Sequence, residues 1–328
     1  MFFIDVLRTL AMCLITNSHY TGVYPTDLIA NGGLLGDIIF FAVSGYCLCN
    51  IKLNFLKWYP KRVFRCYLPV VLITAIYMLI GAYSLNDNSV FQWFVYPTYY
   101  HFVASIVVLY IPFFIILKTN IFKEHLGCVM VVIGLAYLTV YLLVYDKSYY
   151  HIDNVREPFI RFLFFESMLL GAYFRVNDKK YRNRFSLLTI FLSIFLFIGY
   201  FALKLIFTKY ADFAILQIFS HFAIFALLYI IMRLFSGLDK KLEALPEKLK
   251  KVISFLATLT LEIYVVQYVI IDWIKAQFAF PVNWILITSA ILIAAIILHY
   301  MCFFVEKGTG KIFETINTKL NFNKEKTV

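Results

Sequence analysis

The sequence predicts an all-α fold: a polytopic membrane helix bundle of about ten transmembrane helices, with both termini cytoplasmic. Of the 328 residues, 62% are hydrophobic, 19% aromatic and only 15% charged, whereas a soluble domain carries about 25% charged residues. Mean hydropathy is +0.80, beyond what one buried core requires. Apolar runs of about 20 residues recur along the whole chain, and each is long enough as a helix to cross a hydrocarbon layer of about 30 Å.

The spans are predicted at 2–20, 33–51, 66–84, 100–117, 126–145, 159–175, 185–207, 212–235, 252–274 and 283–305. The first contains Asp5 and Arg8 and ends on His19-Tyr20 without a small-residue cleavage site, so it reads as a helix and not as a signal peptide. Of the 30 Lys and Arg residues, 23 lie in the connections 51–65, 118–125, 175–184 and 233–251 and in the tail after 305. The intervening connections hold 5. An alternation kept at every loop sets the basic connections on the cytoplasmic side. The net charge of +11 is therefore a topology signal, with membrane lipid and not nucleic acid as the implied partner. Cys13, Cys47, Cys49, Cys66, Cys128 and Cys302 show no disulfide or zinc spacing and read as small apolar filler, and no metal site is expected. No loop is long enough for a soluble catalytic domain. The chain reads as a single transmembrane domain over 1–328, with a frayed tail at 321–328.

Chemistry must then come from ionisable groups in the spans and short loops, which are costly in lipid and few here. Arg8 and His19 stand at opposite levels of the first span, eleven residues or about 16 Å apart on a helix. Arg8 is either an ion-paired structural residue, with Asp5, or functional. His19 is either an interfacial side chain or a general base, since imidazole accepts a proton near neutral pH. Asp37 lies at the matching depth of the second span, where it could orient an imidazole or serve as a cap. Gly36 and Gly45 in that span permit close helix contact. Arg62 and Arg65 share a helix face beside Lys61, as topology determinants or as a grip for phosphates. Glu166 is a paired acid, with Arg161, or a polar cavity wall. The segment Trp93-Phe-Val-Tyr96-Pro-Thr-Tyr99-Tyr100 is an interfacial belt or a sugar-stacking surface. His221 and His299 read as satisfied interior or near-interface residues.

Three stretches in order are similar to the amino-terminal signature of the acyltransferase-3 family: Arg8 with His19; Gly36-Asp37-Ile-Ile-Phe40-Phe41 with Ser44-Gly45-Tyr46; and Lys61-Arg62 with Arg65 and Pro69. His101-Phe102 before Tyr110, Gly171, Tyr264 and Glu306 extend the resemblance over the rest of the chain. It implies a membrane enzyme that takes an acyl group from cytoplasmic acetyl-coenzyme A or another acyl-coenzyme A and transfers it to a hydroxyl of a surface glycan or its lipid-linked precursor. Arg8 and His19 would be the essential pair, with Asp37 orienting His19 and Arg8 steadying the thioester or its oxyanion. Lys61, Arg62 and Arg65 would hold the donor, and Ser44, Glu166 and Tyr264 are candidates for the acceptor side. Two departures stand out: Gln267 where many relatives have histidine, and Lys307 where proline usually follows the glutamate. A glycan transporter and a non-catalytic relative are the competing readings.

Overall fold

The structure, a computed structural model, describes the backbone of residues 1–325 and the side chains of residues 1–308. The expected frayed tail, 321–328, lies outside the fully described residues. All regular elements among the described residues are helical. In chain order the α-helices are α1 (Phe2–Ser18), α2 (Gly33–Leu48), α3 (Phe55–Leu79), α4 (His101–Lys118), α5 (Asn120–Glu124), α6 (Leu126–Leu143), α7 (Ile160–Val176), α8 (Asp178–Tyr181), α9 (Leu187–Lys209), α10 (Ile218–Gly237), α11 (Asp239–Glu243), α12 (Glu247–Thr258), α13 (Thr260–Ile274) and α14 (Val282–Glu325), with short π- or 3₁₀-helical turns at Phe91–Val95, Thr98–Tyr100 and Ala211–Leu216.

Nine of the predicted spans each centre on one of these helices, and the span at 252–274 covers two, α12 and α13. Six are long and apolar enough to cross a membrane by themselves, and a seventh span is possible if α12 and α13 count as one bent segment. Helices α6 and α9 turn Val131, Leu135, Phe191, Phe195 and Ile198 outward. Helices this apolar and this little covered by protein need a lipid solvent around them. The protein is a multi-pass membrane protein. Helices α1, α2 and α7, of 17, 16 and 17 residues, are shorter and occupy the centre.

Glycine lets those central helices touch backbone to backbone. A Cβ on Gly45 would collide with the Met168 carbonyl of α7, and one on Gly171 would collide with the Ala42 carbonyl of α2. A Cβ on Gly36 would lie 2.7 Å from Ile15 Cγ1 and 2.8 Å from the Ala11 carbonyl of α1. The predicted close contact at Gly36 and Gly45 is therefore present. Lipid tails are as apolar as leucine, so helix association in a membrane depends on this kind of packing.

The basic connections gather at one end of the bundle. There the buried Asp239 carboxylate accepts from the Phe3 N–H at the start of α1 (3.0 Å) and from Arg182 Nε (2.8 Å). Tyr46 donates to Asp178 (2.7 Å), tying α2 to the α7–α8 corner. Two spans differ from expectation. Helix α3 begins at Phe55, eleven residues before the predicted 66, because Asn54 Oδ1 accepts the Lys57 N–H (3.2 Å) and starts the helix. The basic stretch Lys57–Arg65 is thus helical. The predicted span 252–274 is broken at Leu259, with α12 and α13 meeting at 66°. Lys248, Lys250 and Lys251 make one face of α12 too polar for the bilayer, and that half turns aside.

The glycine contacts yield a paired test. Gly45→Val and Gly171→Val should each destabilise the purified protein by about 1–3 kcal/mol or more. Gly134→Val and Gly199→Val, where nothing lies within 4 Å of the added Cβ, should change thermal unfolding in detergent little.

Candidate active site

His19 follows Ser18 at the end of α1, and its N–H bonds back to the Thr16 carbonyl at 3.1 Å. Helix α2 begins directly beside it. A Cβ at Gly33 would fall 2.5 Å from Ser18 Oγ, so only glycine lets α2 start this close, which sets Asp37 one turn further in. His19 and Asp37 line one cavity of about 260 Å³, together with His101, Tyr264, Asp153 and Lys204. His19 and His101 also border an adjoining cavity of about 340 Å³, with Tyr99, Arg156, Tyr268 and Asp272.

Neither imidazole hydrogen-bonds any described residue. His19 packs edge-on to the Tyr268 ring at 4.8 Å between centroids, and His101 lies 6.3 Å from the Tyr264 ring. Helix α13 carries both tyrosines and is pinned where they lie: Tyr77 and Tyr100 donate to the Val266 and Val265 carbonyls at 2.7 and 3.4 Å. Asp37 is 4% exposed and makes no hydrogen bond to His19, so the two share a cavity without forming a dyad. In the loop at the cavity rim, burial works to raise the Asp153 carboxyl, but His221 (3.3 Å) and Lys204 (3.3 Å) outweigh it and hold Asp153 below the usual carboxylate range. Among the described residues, no three His, Cys, Asp or Glu side chains come together as metal ligands.

The other sequence candidates divide. Tyr264 reaches the cavity. Arg8 does not: its guanidinium donates to Cys47 Sγ at 3.4 Å, three helical turns from His19. Between them Met12, Ile15 and Thr16 meet Phe40, Phe102 and Tyr264 in an apolar neck of about 10 Å³, space for a single water. An oxyanion beside His19 needs donors about 3 Å away, and Arg8 is not among them. Asp5 bonds Ser254 (2.7 Å), not Arg8. Ser44 lies on α2 outside both cavities. Glu166 lies elsewhere too, in an apolar pocket of about 420 Å³ between α6, α7 and α10. Its Oε1 has no partner, because Arg161 turns to the Tyr96 hydroxyl (2.5 Å). Arg62 stands on α3 at the basic end with Nε buried and unbonded, while Lys61 and Arg65 are exposed. His221 hydrogen-bonds Tyr137 through Nδ1, while its buried Nε2 approaches Asp153 (3.3 Å) without a hydrogen bond; the part-exposed His299 meets Glu262 (2.8 Å).

His101 is the residue the sequence reasoning passed over as a site member. The available signal was its depth, since it opens the fourth predicted span at the same end as His19.

The sequence model of the acyltransferase-3 family, described as an acyltransferase domain, matches residues 1–303. The chain belongs to the acyltransferase-3 family. As a member it is a membrane acyltransferase. Comparison with curated proteins and with solved structures gives no match.

The shared cavity makes His101 testable. His101→Gln keeps the shape and loses the basicity, and it should lower the rate of acyl transfer at least tenfold. His125→Gln, whose imidazole is exposed on the far side at the basic end, should leave transfer unchanged.

Proposed function

We propose that the protein transfers an acetyl or other short acyl group from cytoplasmic acyl-coenzyme A to a hydroxyl of a cell-envelope polysaccharide or its lipid-linked precursor. It does so across a cell membrane that it spans ten times with both termini cytoplasmic. The observation that carries this reading is the polar cleft holding two imidazoles free of protein hydrogen bonds, at the opposite end of the bundle from the basic connections. An imidazole bonded to no protein group has both nitrogens available to a substrate.

In the transfer, His19 takes the proton of the acceptor hydroxyl as its oxygen attacks the acyl carbon. The carbon–sulfur bond breaks, a carbon–oxygen ester bond forms, and the proton leaves on the coenzyme A thiol. His19 can alternatively accept the acyl group first and pass it to the hydroxyl, with the same balance. The small apolar pocket below His19, with room for a single water, favours a dry surrounding for a thioester or acyl intermediate. Arg8, below the neck, serves the donor side, and Arg62 with its unbonded Nε is the first candidate for the donor phosphates.

Transport of a glycan is the competing reading, and the break between α12 and α13 favours it, because broken helices mark transporter sites. Family membership and the paired imidazoles weigh more. Gln267 is fully buried, its side-chain amide without a hydrogen-bond partner, and it lines neither cavity beside His19.

Sidedness is the direct test. In sealed vesicles, acetyl-coenzyme A should support transfer only from the Arg62 side, and acylated product should appear only on the His19 side. Arg62→Ala with Arg65→Ala should weaken donor binding in detergent at low salt, with the difference shrinking as salt rises. Donor use from the His19 side would contradict the reading.

A further inference from the structure

The cleft does not end at the two cavities that His19 borders. A third, of about 250 Å³, shares Tyr99 and Asp272 with the second, just as the second shares His19 and His101 with the first. The three compartments adjoin one another in a row across the His19 end of the bundle, each neighbouring pair sharing lining side chains. Each alone is near or below the size of the smallest small-molecule sites, about 300 Å³, and together they hold a ligand several rings long. His19 touches the first and second compartments but not the third.

The linings differ in a way that matches a sugar chain. The third compartment is walled by stacked Tyr83 and Trp93, with centroids 4.5 Å apart, and by the half-exposed indole of Trp273. Asp87, Asn88 and Asp272 supply hydrogen-bonding groups between these rings. The open face of Trp273 next to carboxylates and an amide suits a pyranose, whose C–H face packs on a ring while its hydroxyls donate and accept at the edge; the buried Tyr83–Trp93 pair, stacked on each other, gives the compartment a rigid apolar back. Of the two readings the sequence allowed for their segment, Trp93 and Tyr100 do not fit the interfacial belt, since both are buried, at 1% and 0% exposure; Trp93 lies in this wall, and Tyr100 supports it through the Tyr83 hydroxyl.

Resting on the glycan-acylation reading, we propose that the acceptor is an oligosaccharide or polymer of at least three consecutive sugar units. The acylated unit lies at His19, and the units on one side of it extend through the Tyr99 compartment onto Trp273 and Asn88. Monosaccharides and sugar nucleotides fill only the centre. Trp273 and Asn88 are then specificity-determining residues for acceptor length, remote from the transferred group.

The test uses the full-length protein in detergent with acetyl-coenzyme A. The acceptors are the producing cells' own surface glycan, intact and cut to one, two, three and four units. kcat/KM should rise at least tenfold between one unit and three, then level off. Trp273→Ala and Asn88→Ala should bring the three-unit value down towards the two-unit value while leaving the one-unit value unchanged. Trp284→Ala, an exposed indole outside the three compartments, should do neither. Equal acylation of one-unit and three-unit acceptors would overturn the compartment assignment and leave the acyltransferase reading standing. So would a uniform loss at every length in the two variants. Failure to acylate even the intact glycan would sink both.

Discussion

Backbone contact between α2 and α7, through Gly45 and Gly171, is the constraint on which the rest of the bundle depends. Neither helix is long, and neither could be held by a hydrophobic effect that lipid already satisfies. Their contact, with Gly36 against α1, draws three short helices into a core around which the longer apolar helices stack. It also fixes where α1 and α2 end. His19 and Asp37 reach one cavity because Gly33 allows α2 to start against Ser18, and because the helices below it pack without side chains between them.

An ion-paired anchor and an open polar cleft are kept at two ends. Asp239 binds the first turn of α1 and Arg182 at the basic end, so α1 is anchored by a buried carboxylate far from the cleft. Arg8 belongs to the anchored half and His19 to the cleft, with an apolar neck between them. One short helix thus places Arg8 and His19 at two separate levels, about 16 Å apart along its axis, and α1 relates the two by its length.

Much of this was legible in the sequence, and for identifiable reasons. Depth along a span follows from counting, so the shared level of His19 and Asp37 could be read, and the same count applied to His101 would have placed it there too. Small residues announced the close contact at Gly36 and Gly45. Rotation about the helix axis was not legible. Helix α7 is apolar on nearly every side, so nothing in its pattern shows that Glu166 turns towards α6 and α10 and away from His19. Arg161 likewise finds Tyr96 from a distant loop, and no spacing rule links those two positions. The break at Leu259 left a trace in Lys248, Lys250 and Lys251, whose charges could not enter a bilayer with the helix they begin. The compartment behind Tyr99 depends on loops folding back over α13, which periodicity does not encode.

The central claim is that the His19 imidazole performs acyl transfer in the cleft. Mass spectrometry of surface glycans tests it most directly, in cells carrying either the wild-type chain or His19→Gln at matched protein level and thermal stability. Glutamine keeps the shape and the hydrogen-bonding capacity of histidine without its basicity. The account predicts that glycan acylation falls at least the 10²–10⁴-fold ascribed to general acid–base catalysis, and substantial acylation by well-folded His19→Gln would contradict it.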